Sequence, residues 1–85
     1  MASLNKIILI GNVGRDPEIK AFQNGDKIAN FSLATSDKWT DKATQEKKEL
    51  TQWHRVVVRN QNIIRTIEMF VKKGKAVIVE GKLTY

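Results

Sequence analysis

The residues of this sequence best suited to chemistry are one aromatic ring and the cations beside it. Trp53 lies in Thr51-Gln-Trp-His-Arg-Val-Val-Val-Arg59, a run of strand-like composition. Side chains alternate across a strand, so Trp53, Arg55, Val57 and Arg59 share one face and His54, Val56 and Val58 the other. The first face joins a stacking surface to fixed positive charge, the combination that holds unpaired nucleic acid. The second has the composition of a core face. A core indole is the competing reading for Trp53, and the arginines on its face weigh against it because arginines are rarely buried. Trp39, the other tryptophan, stands in a polar, lysine-bearing segment with little local core to receive it. Its alternative is a ring covering the base of a hairpin. Lys6, Arg15, Lys38, Lys42, Lys73 and Lys75 are candidates for neutralising phosphates. Each taken singly also reads as a solvated charge.

Catalysis finds little support. His54 is the single histidine, on the apolar face and without ligand-spaced neighbours, which suits a structural or interface residue. Asp16 and Glu18 are turn carboxylates. Gly11 to Gly14 has neither phosphate-loop spacing nor a helix after it, so these glycines read as turn residues. With no cysteine, disulfides and thiolate metal sites are excluded, and no catalytic residue, metal or cofactor is expected.

Eighty-five residues make one small domain, residues 1–85, whose modest core favours oligomerisation. A net charge of +6 favours an anionic partner, with nucleic acid ahead of a membrane surface. No segment is apolar enough to span a bilayer, and the run at Ile7 is too short for a signal peptide. The chain reads as soluble, untargeted and suited to a reducing cytoplasm.

Several elements must position these side chains. Ile7-Ile-Leu-Ile10 is apolar on both faces, as a strand covered on both sides would be, and a second subunit would supply the cover. Gly11 to Glu18 has turn chemistry and breaks the strand. Asn24-Gly25-Asp26 suits a hairpin turn. Ile28 to Ser36 alternates as a half-buried strand, with Ala29, Phe31 and Leu33 on one side and Asn30 and Ser32 on the other. Asp37 to Gln52 reads as a long exposed hairpin. Ile63, Ile67, Phe70 and Val71 fall at helical spacing, predicting a helix over Asn62 to Lys73. Asn60 or Asn62 would cap it, Lys72 and Lys73 would meet its negative end, and Gly74 would stop it. Ala76 to Leu83 is a further strand. Phe22, Phe31 and Phe70 read as core or near-core. The pattern is all-β, with one helix between strands 3 and 4 and a possible short piece over Glu18 to Phe22. That is the order of the oligonucleotide/oligosaccharide-binding (OB) fold, a five-stranded Greek-key barrel whose final strand is missing here.

A resemblance adds to this reading. Asn5-Lys-Ile-Ile-Leu-Ile-Gly-Asn-Val-Gly-Arg-Asp-Pro-Glu18, Asn30-Phe-Ser-Leu-Ala-Thr-Ser36, Trp39 with Asp41-Lys42, Thr51-Gln-Trp-His-Arg-Val-Val57 and Val71-Lys-Lys-Gly-Lys-Ala-Val-Ile-Val-Glu-Gly-Lys-Leu83 resemble the bacterial single-stranded DNA-binding protein family. The resemblance implies an OB fold, a homotetramer, and sequence-tolerant binding of single-stranded DNA during replication, recombination and repair. It implies stacking on Trp39 and Trp53, DNA contacts at Lys6, Lys42, Arg55 and Lys73, and a subunit interface at His54. Ile7 and Leu9 join His54 as expected interface residues. Arg59 stands where the family commonly has a phenylalanine, trading a ring for a charge that can still stack. The family's third tryptophan, closing strand, linker and acidic tip, which recruits replication and repair proteins, would lie beyond Tyr85. Two other readings compete: an OB module for RNA or replication restart, and an assembly module that binds no nucleic acid. Stacking does not sense the 2′-hydroxyl, so the residues alone leave RNA open.

Overall fold

The computed structural model describes residues 2–85. Five antiparallel strands and one helix follow in the order β1 (Ile7–Val13), β2 (Glu18–Ala21), β3 (Lys27–Thr40), β4 (Lys47–Val58), α1 (Gln61–Phe70) and β5 (Ala76–Gly81). The short piece near Glu18 is a full strand, so the helix lies between the fourth and fifth strands rather than the third and fourth. The sheet runs β2-β3-β1-β5, with β4 also paired to β3. β3 organises it. One edge of β3 carries β4 without interruption from Ala29↔Val58 to Thr40↔Lys47. The other carries β2 over Lys27 to Asn30 and then β1 at Leu33 and Ala34. Among the described residues β5 pairs only with β1 and β4 only with β3, so the sheet curls without closing.

The core forms where the alternation of β3 meets the helix. Val13, Ala29, Phe31, Leu33, Ile64 and Ile67 are buried, with Leu9, Ile19, Val56, Val58, Val71, Val77 and Val79 packed around them. Phe31 is core as expected, whereas Phe22 and Phe70 are exposed. The helix buries Ile64 and Ile67 and leaves Ile63 outside, a face turned by about one residue from the expected one. Its start explains the rotation. The Gln61 amide clamps the backbone of Lys27, accepting from its N–H and donating to its carbonyl, both at 2.9 Å. Asn60 Oδ1 caps the helix, accepting from the N–H groups of Asn62 and Ile63.

The helix ends at Phe70, not Lys73, because other partners take the backbone donors that follow. Lys73 N–H donates to Asp16 Oδ1 at 2.8 Å and Gly74 N–H to the Val13 carbonyl at 2.7 Å. Lys72 and Lys73 therefore lie past the helix end, and left-handed Gly74 (φ 86°) shapes the turn into β5. The predicted break at Gly11 is also absent. β1 runs on to Val13 because Asn12 lies between Ala34 of β3 and Ala76 of β5. Gly11 is needed there for closeness, since a Cβ would strike the Ala34 carbonyl.

The charged stretch from Asp37 to Gln52 is mostly strand, with only residues 41–46 outside it. Its ladder places Lys38 opposite Glu49, and the Ser36 and Thr51 hydroxyls lie 3.0 Å apart. Asp41 Oδ1 accepts from Ala43 N–H at 2.8 Å and pins the tip. The ribbon projects from the curled sheet, and the molecule is 58 Å long and 18 Å thick.

Candidate nucleic-acid interface

Alternation along β4 builds the site. His54, Val56 and Val58 lie opposite Leu33, Phe31 and Ala29 on the core face. Trp53 and Arg55 lie opposite Ala34 and Ser32 on the outer face. Trp53 is 63% exposed, far more than a core indole. One side of its ring rests on Gly14, where a Cβ would come within 2.5 Å of Cζ3. Gly14 is held in place by donating its N–H to the Ser32 carbonyl at 2.9 Å. A glycine expected to serve a turn is therefore also the seat of the ring.

Trp53 and Arg55 form one wall of an open groove of about 540 Å³, and Gly14, Arg15, Asp16, Glu18 and Lys20 form the other. Asn30 and Ser32 make its floor. Its volume falls in the ~300–1,000 Å³ range of small-ligand sites, enough for a nucleotide. Three cations and two carboxylates line it, and Asp16 is already bonded to Lys73 N–H. Positive charge thus prevails at the rim. Lys20 was not singled out in the sequence, Asn30 was read only as a polar-face residue of its strand, and Glu18 only as a turn carboxylate. The one available signal was the alternation of Glu18 with Lys20 in a piece too short to assign as a strand.

The remaining site residues are scattered. Trp39 is 50% exposed on β3, opposite Lys48. The unbroken register puts it on the Leu33 side of the ribbon, the face opposite Trp53. A strand stacking on both rings must pass from one face of the twisted ribbon to the other. Lys42 sits exposed in the tip loop. Arg59 lies just past β4, not on it, and its carbonyl accepts from Gln61 Nε2 at 2.8 Å. Lys73 is tied by its backbone to Asp16 on the groove wall. Lys6 precedes β1 and pairs with Glu80 at 3.0 Å.

Within the single chain the expected interface residues lie toward the inner side of their strands. Leu9 packs on the core and Ile7 is half-buried beside it. The uncovered apolar side of β1 belongs to Ile8 and Ile10, with Ile78 directly across from Ile10. Ile10 is 68% exposed and Ile78 72%. His54 is half-buried, its Nε2 2.8 Å from the Thr35 hydroxyl. Among the described residues no cluster of His, Asp or Glu could hold a metal, and no helix is long and apolar enough to cross a membrane.

Fold and site together define an OB-type domain whose outer face joins an exposed indole to fixed cations. The sequence model of the Single-strand binding protein family matches residues 4–85, and the chain belongs to that family. Proteins named single-stranded DNA-binding protein from Rickettsia felis and Rickettsia typhi are each 53% identical over 81 residues. Those alignments take in 95% of this chain and 53% of each relative, so the chain spans about half the length of the curated relatives it matches. A solved structure described as a Plasmodium falciparum SSB complex with ssDNA superposes with a TM-score of 0.86 at 51% identity, covering 96% of this chain and 72% of that one.

Proposed function

We propose that this domain binds single-stranded DNA with little sequence preference, without a catalytic step. The exposed Trp53 ring, seated on Gly14 beside Arg55 in an open groove, carries the reading. Every base has a π-face, so stacking tolerates sequence and contributes roughly 1–3 kcal/mol per base. Arg55, Arg15 and Lys20 neutralise phosphates at the rim, Lys73 and Arg59 extend the positive path, and Trp39 and Lys42 on the ribbon add a second platform. Lys6 joins by exchanging Glu80 for a phosphate. The names of the Rickettsia relatives and the DNA-bound structural neighbour support DNA as the ligand.

The setting we propose is replication, recombination and repair in the bacterial cytoplasm, at the nucleoid, alongside replication and repair proteins. The bare Ile8, Ile10 and Ile78 face supports a homo-oligomer, and the family resemblance a tetramer. Anisotropy of labelled oligo-dT, oligo-dC and oligo-dA tests the core of the proposal. Trp53→Ala should weaken all three by about 5- to 150-fold, the stacking range at about 1.4 kcal/mol per decade. A loss confined to one base, or none, would refute it.

A further inference from the structure

The segment that carries Arg15 is anchored at both ends. Between Val13 of β1 and Glu18 of β2 the chain has only Gly14, Arg15, Asp16 and Pro17, none of them in a strand. On one side Gly14 N–H donates to the Ser32 carbonyl at 2.9 Å, and on the other Asp16 Oδ1 accepts from Lys73 N–H at 2.8 Å. Arg15 stands exposed between these anchors, and Lys73 is exposed beyond the second. The turn at Lys73 is itself fixed to the end of β1. Gly74 N–H donates to the Val13 carbonyl at 2.7 Å, Val13 N–H to the Lys75 carbonyl at 2.9 Å, and Asn12 Nδ2 to the Gly74 carbonyl at 3.2 Å. Those bonds join β1 to the turn without help from Asp16. The Asp16 bond carries the join past β1 into the groove wall.

We propose that Asp16 is a positioning residue for DNA, holding Arg15 and Lys73 at a fixed spacing so that they receive phosphates of the strand as a pair. The proposal rests on the reading of this groove as the DNA site. By charge alone Asp16 works against that site, since it is an exposed carboxylate lining a groove for a polyanion. Its hydrogen bond acts in the opposite direction. Arginine and lysine side chains are long, and immobilising one of them weakens binding by about 2- to 12-fold. Fixing the backbone from which both side chains start reduces that loss, because only their own torsions remain to be ordered. The bond needs an acceptor at Oδ1 and not a negative charge, which separates the two effects of this residue.

Two variants of equal net charge supply the test. Asp16→Asn removes the charge and keeps the Oδ1 acceptor, whereas Asp16→Ala removes both. In anisotropy with labelled oligo-dT, Asp16→Ala should bind about 2- to 12-fold more weakly than Asp16→Asn, the range for one long side chain left to be ordered. In a background carrying Arg15→Ala and Lys73→Ala the difference should vanish. Lys73→Ala keeps the backbone N–H there, but neither cation remains to be positioned. Thermal unfolding checks that each variant is folded. Asp16→Leu, similar in shape to Asp16→Asn but without an acceptor, repeats the comparison if Asp16→Ala unfolds. Affinity in Asp16→Ala equal to or above that of Asp16→Asn overturns the proposal, as it would if Asp16 acted through charge alone. So does a difference that persists in the doubly substituted background, as a purely structural role would leave it. Failure of wild-type protein to bind oligo-dT at all would instead bring down the proposed function, and this inference with it.

Discussion

Gly14 should control the stacking platform without supporting the fold. In Gly14→Ala the new Cβ lies 2.5 Å from Trp53 Cζ3, and ordinary contact begins at 3.4 Å, so the ring must retreat by about 0.9 Å. The atom that has to move is the far end of an exposed side chain, so the retreat costs the fold little. The backbone at Gly14 is not left-handed, and alanine there also lowers the entropy of the unfolded chain, worth about 0.4–1 kcal/mol. Stability should be unchanged or slightly raised. DNA should pay the cost instead. The ring is pushed toward the base on its free side, and a base tethered through its phosphate at Arg55 cannot shift with it fully, so the two meet out of register; a misfit of about 0.5–1 Å forfeits about a quarter to a half of a dispersion contact. Applied to the ~1–3 kcal/mol of a stacked base, affinity should fall by about 1.5- to 12-fold. Anisotropy with labelled oligo-dT measures this directly, with Trp53→Ala and the double variant in the same series. The double variant should be no weaker than Trp53→Ala, because Gly14 acts through the ring. Full affinity in Gly14→Ala, or additive losses in the double variant, would refute the argument.

Gly11→Ala should behave oppositely: its Cβ meets the Ala34 carbonyl, which is backbone of a central strand, and we expect about 1–3 kcal/mol of destabilisation by urea unfolding. Arg55→Gln should flatten the dependence of log affinity on log salt by about 0.7, the value of one phosphate contact on a single strand, while leaving the order of base preferences unchanged. Ile10→Lys, at a 68%-exposed position facing Ile78, should lower the oligomeric state in sedimentation without unfolding the chain, and an unchanged state would place the subunit contact elsewhere.

The face of β4 was legible because period-2 alternation is local: Trp53 and Arg55 on one side and His54, Val56 and Val58 on the other follow from residue order alone. The same holds for Ala29, Phe31 and Leu33, and for the hairpin turn at Asn24-Gly25-Asp26, where Gly25 takes φ 90°. The helix was legible in kind but not in extent or rotation. Its end depends on Asp16, 57 residues from Lys73, and its rotation on Lys27, 34 residues from Gln61. Such tertiary hydrogen bonds have no local signature. The inward face of β1 was not legible for a related reason. An all-apolar strand does not reveal which face meets the core, and only packing put Leu9 inward and Ile10 outward.

By itself, then, the sequence determined the two tryptophans, the basic balance, the order of the longer elements and the sidedness of the alternating strands β3 and β4, all properties of neighbours in the chain. The tertiary structure alone decided what gathers around the ring. It brought Gly14 under Trp53, set Lys20 and Glu18 across from Arg55, and put Trp39 on the opposite face of the ribbon. Those relations depend on register and on strand order in the sheet, which arise when distant segments pair and which no single stretch of residues specifies.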